Sequence, residues 1–221
     1  MEQKIQKWNK WLQVLRQEIT KLIQSNYIYA ETREIVIANP DINNSNIFYD
    51  WLTRNYVCTT LMGIRRQLDE HSDSISLVKF LRDLQINNTL LTRKRHLTLY
   101  SKDMQSLGNN IFNKLAGESS NLFPKESIEF DLHRLEKIKD VHSRLIDRRI
   151  AHYEKIAKVP SDGTFQDLNN DIAIFEEIFK NYFLLLTAND IELLPVLQYD
   201  WLFIFKQSWL PANNKELSKD D

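Results

Sequence analysis

Glycine is the residue this chain does without: 4 in 221, about 2% against roughly 7% in average proteins. Strands joined by tight turns use glycine freely because it alone reaches positive φ without steric cost, so the scarcity points to a mainly helical chain. Hydrophobic residues make up 43% and charged residues 27%, which is enough apolar material for a core and excludes collagen-like, disordered and disulfide-scaffold classes. The length is about one and a half typical domains. We expect one domain over residues 1–212 and a charged, disordered tail over 213–221, KELSKDD being its charged part.

Lys and Arg number 29 against 30 Asp and Glu, a net charge of -1, so no global field draws in nucleic acid or an anionic membrane and any RNA contact must be local. The one cysteine, Cys58, excludes an intramolecular disulfide and a multi-cysteine metal site, and suits a reducing compartment. The opening MEQKIQKWNKW lacks an apolar signal region, and no apolar run nears the roughly 20 residues that span a bilayer. The expected location is the cytoplasm, with no membrane association.

Ile5, Trp8, Leu12, Leu15, Ile19, Leu22 and Ile23 recur every three or four residues and predict a first helix that runs to Ile37, before Asn39-Pro40 stops it. Ile47, Phe48, Trp51, Leu52, Cys58 and Met62 describe a second helix to about Glu70. Ser74 or Ser76 caps a short third helix, LVKFLRDL, ending near Asn87-Asn88. Thr89 to Tyr100 reads as helix, Ser101 to Gly117 shows poor periodicity, and Glu118 to Pro124 collects turn residues. From Lys125, the residues Ile128, Leu132, Leu135, Ile138, Leu145, Tyr153 and Ile156 predict a long helix ending before Pro160. Thr164 and Asp167 then form a capping box that opens Leu168, Ile172, Phe175, Ile178, Tyr182 and Leu186. Asp200 to Phe205, with Trp209, Leu210 and Pro211, make a short apolar closing element.

Two core stripes carry charge. At 100° per residue, and with Trp51 as the core direction of the second helix, Arg65, Arg66 and Asp69 fall within about 60° of it, beside Phe48, Cys58 and Met62. On the long helix, Arg149 and His142 lie about 40° and 20° from Leu135. A buried charge is costly unless paired, so Asp69 is expected against Arg149 or Arg65. Such a cluster is either a structural ion-pair network that fixes two helices in register or part of a polar site. His152 follows Arg148 by four residues, about 40° round and roughly 6 Å along the helix, at the edge of the apolar stripe where it can face a groove or another subunit. Imidazole near neutral pH moves protons and guanidinium holds phosphate, the components of metal-free phosphodiester cleavage.

The basic run Thr92-Arg93-Lys94-Arg95-His96 can touch phosphates or be a solvated helix face. His71, His96, His133 and His142 have no metal-binding pairing at i, i+4, so no metal is expected. No phosphate loop or Gly-x-Ser-x-Gly exists, which excludes P-loop hydrolysis and implies no cofactor. Trp8, Trp11, Trp51, Trp201 and Trp209 read as core or interface residues.

The stretch Asp147-Arg148-Arg149-Ile150-Ala151-His152-Tyr153-Glu154-Lys155, followed by the Phe165-to-Leu186 helix, resembles the end of a HEPN-type domain of the abortive-infection branch. Ile64 to Asp69 with Ser74 to Leu77 upstream, and Asp200 to Phe205 with Trp209 downstream, extend the resemblance over most of the chain. It implies an all-α antiparallel bundle with an additional N-terminal helix, commonly dimeric, in which an arginine and a histidine from each subunit meet. It also implies metal-independent RNA cleavage, by attack of the ribose 2′-hydroxyl on the adjacent phosphate to leave a cyclic phosphate. The implied roles are phage defence or a toxin–antitoxin pair, with RNA and an antitoxin or defence-system protein as partners. The usual motif leaves four to six residues between arginine and histidine. Here those positions hold Leu145, Ile146 and Asp147, so His152 transfers from the family while Arg148 is assigned from helix geometry. The expected catalytic pair is His152 and Arg148. Arg149, Arg65, Arg66, Asp69, Asp147 and Tyr153 are the expected binding residues. The alternative is a non-catalytic module that binds a nucleotide, RNA or a protein partner. A third reading is a purely structural helical adaptor.

Overall fold

The first stripe, Ile5 to Ile23, is buried along α1 (Glu2–Ala38), with Trp8, Leu12, Leu15 and Ile19 at 0% exposure. These positions come from a computed structural model that describes residues 2–43, 47–145, 164–194 and 200–209. After the turn at Asn39, α2 (Ile47–Gln67) runs back along α1: Tyr29 meets Thr53, Asn26 meets Tyr56, Leu22 meets Gly63 and Glu18 meets Arg66. The order of those pairs makes the two helices antiparallel. Gly63 sits so close to Leu22 that a Cβ there would collide with the leucine side chain.

Ser76 caps α3 (Leu77–Ile86), its hydroxyl accepting from the Lys79 N–H at 3.2 Å. The helix is tied to α1 through Asp83, which accepts from the Trp8 indole N–H at 2.6 Å and from Lys4 at 3.2 Å. α6 (Lys125–Leu145) lies against α3, with Gln85 donating to Glu129 and Glu70, just beyond α2, receiving Lys139. α7 (Phe165–Thr187) runs antiparallel to α6 and inserts Phe165 beside the stacked rings of Tyr29 and Tyr56. Its start is the expected capping box: the Asp167 N–H donates to the Thr164 hydroxyl and the Thr164 N–H to the Asp167 carboxylate. Phe175, Ile178 and Phe179 are fully buried, so α7 is the central element. The protein is an all-α antiparallel bundle. Among the described residues there is no strand, only the bridge pair Thr92 and Leu122, and no helix is long and apolar enough to cross a membrane.

The segment read as one helix over Thr89 to Tyr100 is a 3-10 turn (Asn88–Leu90) followed by α4 (Arg93–Leu97). The region of poor periodicity contains α5 (Gln105–Ala116), whose buried residues are Gly108, Phe112 and Ala116. With two of the three being small, α5 packs by close approach and leaves almost no large-residue pattern to read. The turn after it uses Gly117 at φ 90 and Ser119 at φ 61. The closing element is a 3-10 helix (Trp201–Lys206) that leaves Phe203 57% and Ile204 53% exposed.

The second helix faces the other way from the sequence expectation. Trp51 is 57% and Phe48 50% exposed, and Cys58 lies in solvent. Its buried residues are Tyr56, Thr60, Leu61, Gly63, Ile64 and Gln67, most of them about 120–180° from Trp51 at 100° per residue. A small and polar face packs on α1, and the aromatic face stays out.

Candidate functional site

The α6–α7 interface is built as a ladder of polar contacts between apolar layers. At one end Tyr182 donates to Asp131 at 3.0 Å. One turn on, Arg134 makes a two-pronged contact with Glu177, at 3.1 and 2.7 Å, and reaches Asp131 at 3.3 Å. At the far end His142, 1% exposed, meets Asp171 at 2.5 Å through its Nε2. Its Nδ1 is also buried and has no partner among the described residues. Burial pushes the Asp131 carboxyl and the Tyr182 hydroxyl up, whereas Arg134 holds Glu177 below its ordinary value. Arg134 is therefore charge-matched chiefly to the more exposed Glu177, and Asp131 is kept by Tyr182.

This ladder carries the chain to residue 145 and receives it again at Thr164. Asp147, Arg148, Arg149, His152 and Tyr153 lie outside the described residues. What the structure supplies is the frame on either side: His142 locked by Asp171, and the α7 start locked by its capping box. Asp171 is the residue that sequence reasoning passed over. Its signal was available, because it stands three after Leu168 and four before Phe175, on the buried stripe.

The expected buried cluster of Arg65 and Asp69 is corrected by the orientation of α2. Arg65 and Arg66 are exposed, and Arg66 pairs with Glu18 of α1 at 3.2 Å. Asp69 is half-buried and caps the turn after the helix, accepting the His71 N–H at 3.1 Å, and that backbone bond leads the influences that hold its carboxyl below the ordinary value. The neighbouring Glu70 instead bridges Arg82 at 2.8 Å and Lys139 at 2.9 Å, joining α3 to α6. Arg149, the other expected partner, lies outside the described residues. Phe48, Trp51, Phe205 and Trp209 form an exposed ring cluster, with Phe48 5.8 Å from Trp51 and 6.1 Å from Trp209. Among the described residues no group of three or more His, Cys, Asp or Glu is placed to hold a metal ion.

Antiparallel helical bundles are built by many unrelated proteins, so the deciding observation is a match to a family model. The HEPN model described as AbiU2 matches residues 5–192, from the first buried residue of α1 to beyond the end of α7. The chain belongs to the AbiU2-type HEPN family. No curated protein and no solved structure matches it. As an abortive-infection-associated HEPN domain, the chain has a matched span that takes in the α6–α7 ladder and the arginine–histidine stretch between those helices.

Proposed function

We propose that this AbiU2-type HEPN domain is a defence or toxin-type, metal-independent RNA endonuclease whose site pairs His152 with Arg148 at the interface of a homodimer. The observation that carries this reading is the family match, whose span of residues 5–192 includes Asp147 to Lys155. In this mechanism His152 takes the proton from a ribose 2′-hydroxyl, the oxygen attacks the adjacent phosphorus, and Arg148 holds the phosphate and its developing charge. The 5′-oxygen leaves with the proton that the His152 imidazolium gives back, producing a cyclic phosphate and a 5′-hydroxyl end and restoring the neutral imidazole. The frame supports it, since the His142–Asp171 contact joins α6 to α7 and the exposed Thr164–Asp167 capping box fixes the start of α7, on either side of the segment that bears both residues.

A second reading is favoured by one specific feature. Leu145, Ile146 and Asp147 stand where the family motif places its arginine, which suits a non-catalytic module that binds a nucleotide, RNA or a protein partner. Incubating the purified protein with mixed structured and single-stranded RNA in EDTA, beside His152→Ala, separates the two. Cleavage with cyclic-phosphate ends that is lost in the variant supports the nuclease. Identical behaviour of both proteins moves the assignment to the binding module.

A further inference from the structure

The start of α2 carries the apolar side chains of a core face and points them at solvent. Ile47 is 86% exposed, and Phe48 and Trp51 stand out beside it. The closing 3-10 helix and the residues after it continue this surface with Phe203, Ile204 and Trp209, the last 60% exposed. The Trp209 ring meets Phe48 edge-on at 6.1 Å, which joins the two elements. The closing rings are held in place: the Trp209 indole N–H donates to the Ile204 carbonyl at 3.0 Å, and Lys206 pairs with Asp200 at 3.1 Å. A whole aromatic side chain carries roughly 150–250 Å², so these six side chains, each half or more exposed, present on the order of 600–800 Å². That reaches past the roughly 300–600 Å² of the largest apolar patch on a typical monomer and approaches the about 800 Å² that each partner gives to a stable interface. Because its rings are fixed beforehand, such a face needs little further ordering when it is covered.

The charges on this face say what covers it. Asp50 and Arg54 stand on one flank of Trp51, about 100° and 60° round from it and roughly 6 Å apart along the helix. Both are exposed, and among the described residues neither has an ion-pair partner. A two-fold axis perpendicular to the helix and level with Leu52 lays a second α2 antiparallel on the first and keeps each flank on its own side. Asp50 of each copy then lies opposite Arg54 of the other, while the two Trp51 rings pack beside each other near the axis. One anion and one cation set symmetrically about that axis make the face complementary to itself, a property that an unrelated partner does not call for.

We propose that this face binds a second copy of the chain, through an antiparallel pair of α2 helices centred near Leu52 and extended by the closing elements. On the other side of α2, Tyr56 stacks on Phe165 at the head of α7. The face therefore stands at the end of the bundle where the chain crosses from α6 to α7, and joining two copies there sets the head of each α7 beside the shared surface. In this role the proposal rests on the homodimer of the nuclease reading, to which it assigns a surface and a register.

The test is the dimer dissociation constant of the full chain, measured by sedimentation equilibrium, with circular dichroism confirming that each variant is helical. Trp51→Ala is expected to weaken the dimer by at least about 30-fold, as loss of a central aromatic anchor does. Asp50→Arg and Arg54→Asp each set like charges against each other twice and should weaken it by about tenfold or more, while the two changes together should bring the affinity back. Ile86→Ala, which removes an equally exposed apolar residue from α3, should leave it unchanged. The register has its own check, because Ile47 and the exposed Cys58 both lie within about 40° of Trp51 and, at about 7.5 and 9 Å either side of the axis, meet across it. A short bis-maleimide should therefore link Ile47→Cys into a covalent dimer, but neither wild type, whose two Cys58 thiols stand about 18 Å apart along the helices, nor Ile47→Cys with Cys58→Ser. A wild type that stays monomeric to its highest soluble concentration overturns the proposal, and a covalent dimer formed through Cys58 alone overturns the register. A dimer indifferent to Trp51→Ala and to the charge changes overturns the face while leaving the homodimer of the nuclease reading in place. An intact dimer of the expected variant pattern that cuts no RNA fails the nuclease reading and keeps this face assigned.

Discussion

His142 Nε2 and Asp171 Oδ2 lie 2.5 Å apart across the α6–α7 interface, with the histidine sealed from water at 1% exposure. His152 is the tenth residue after His142 in the sequence, and this contact is the last described hold on α6 before residue 145. Removing one partner of a buried polar pair costs more than the pair itself is worth, because the other group is left desolvated. Asp171→Ala should therefore lose about 2–4 kcal/mol in urea unfolding, since both ring nitrogens of His142 would then be buried without a partner. The double variant with His142→Ala should lose less than the sum of the single losses, and simple additivity would refute the coupling.

Asp83 ties α3 to α1 and makes that contact depend on acid. Burial on its own raises the Asp83 carboxyl, but the Trp8 indole N–H, Lys4 and Lys7 outweigh it and hold the group below its ordinary value. A depressed pKa in the folded state adds stability that is present above the unfolded pKa and is lost as pH falls through the folded value. Asp83→Asn should thus be less stable at pH 7 and should lose stability less steeply between about pH 5 and pH 3. Glu70 and Glu177 are depressed as well, so a residual slope is expected. Urea midpoints across that range check this, and parallel curves for the two proteins would count against it.

Gly63 sets the spacing of α1 and α2. Replacing it with alanine gains about 1 kcal/mol of helix propensity, against about 1–3 kcal/mol for overpacking a filled core. The new methyl would run into the Leu22 side chain, whose Cγ would be 3.1 Å away in a residue only 5% exposed. Overpacking should win, with a net loss of about 0.5–2 kcal/mol. Truncating the obstacle in the Leu22→Ala, Gly63→Ala pair should recover part of the loss relative to additivity, and a Gly63→Ala protein more stable than wild type would show that the helices can move apart.

The parts of this fold that were legible in the sequence are those with large apolar residues on one face or a cap with defined chemistry. The α1 stripe and the Thr164–Asp167 box are of that kind. α2 misled because Trp51 and Phe48, the largest apolar groups on it, stand in solvent while Thr60, Gly63 and Gln67 make the close contact with α1. That reversal moved Arg65 and Arg66 from the expected core to the surface. α5 was invisible for a related reason, since Gly108 and Ala116 pack by being small. Of the site, His142 was legible as a histidine on the core stripe and Asp171 was equally available. The hold of Arg93 on Asn109 and Ser120 was not legible, because only the fold brings α4, α5 and the 117–124 turn together.

The spacing of the site residues yields the sharpest prediction for activity. Arg148 leaves three residues before His152, whereas Ile146 occupies a position five residues clear of it, within the four-to-six window of the family motif. If a correctly spaced guanidinium is what cleavage lacks, Ile146→Arg should raise the rate of RNA cleavage in EDTA by at least about tenfold, a modest share of what one charge-stabilising donor contributes to a transition state. The gain should vanish when His152→Ala is added, because the arginine only stabilises charge and the proton transfer still needs the imidazole. Asp147 lies beside the new arginine and tempers its charge, so Asp147→Asn in the same background should add a further increase. Product ends carrying cyclic phosphate would identify the chemistry. A rate unchanged by Ile146→Arg would show that the motif spacing does not limit cleavage, and a gain that survives loss of His152 would remove the imidazole from the mechanism.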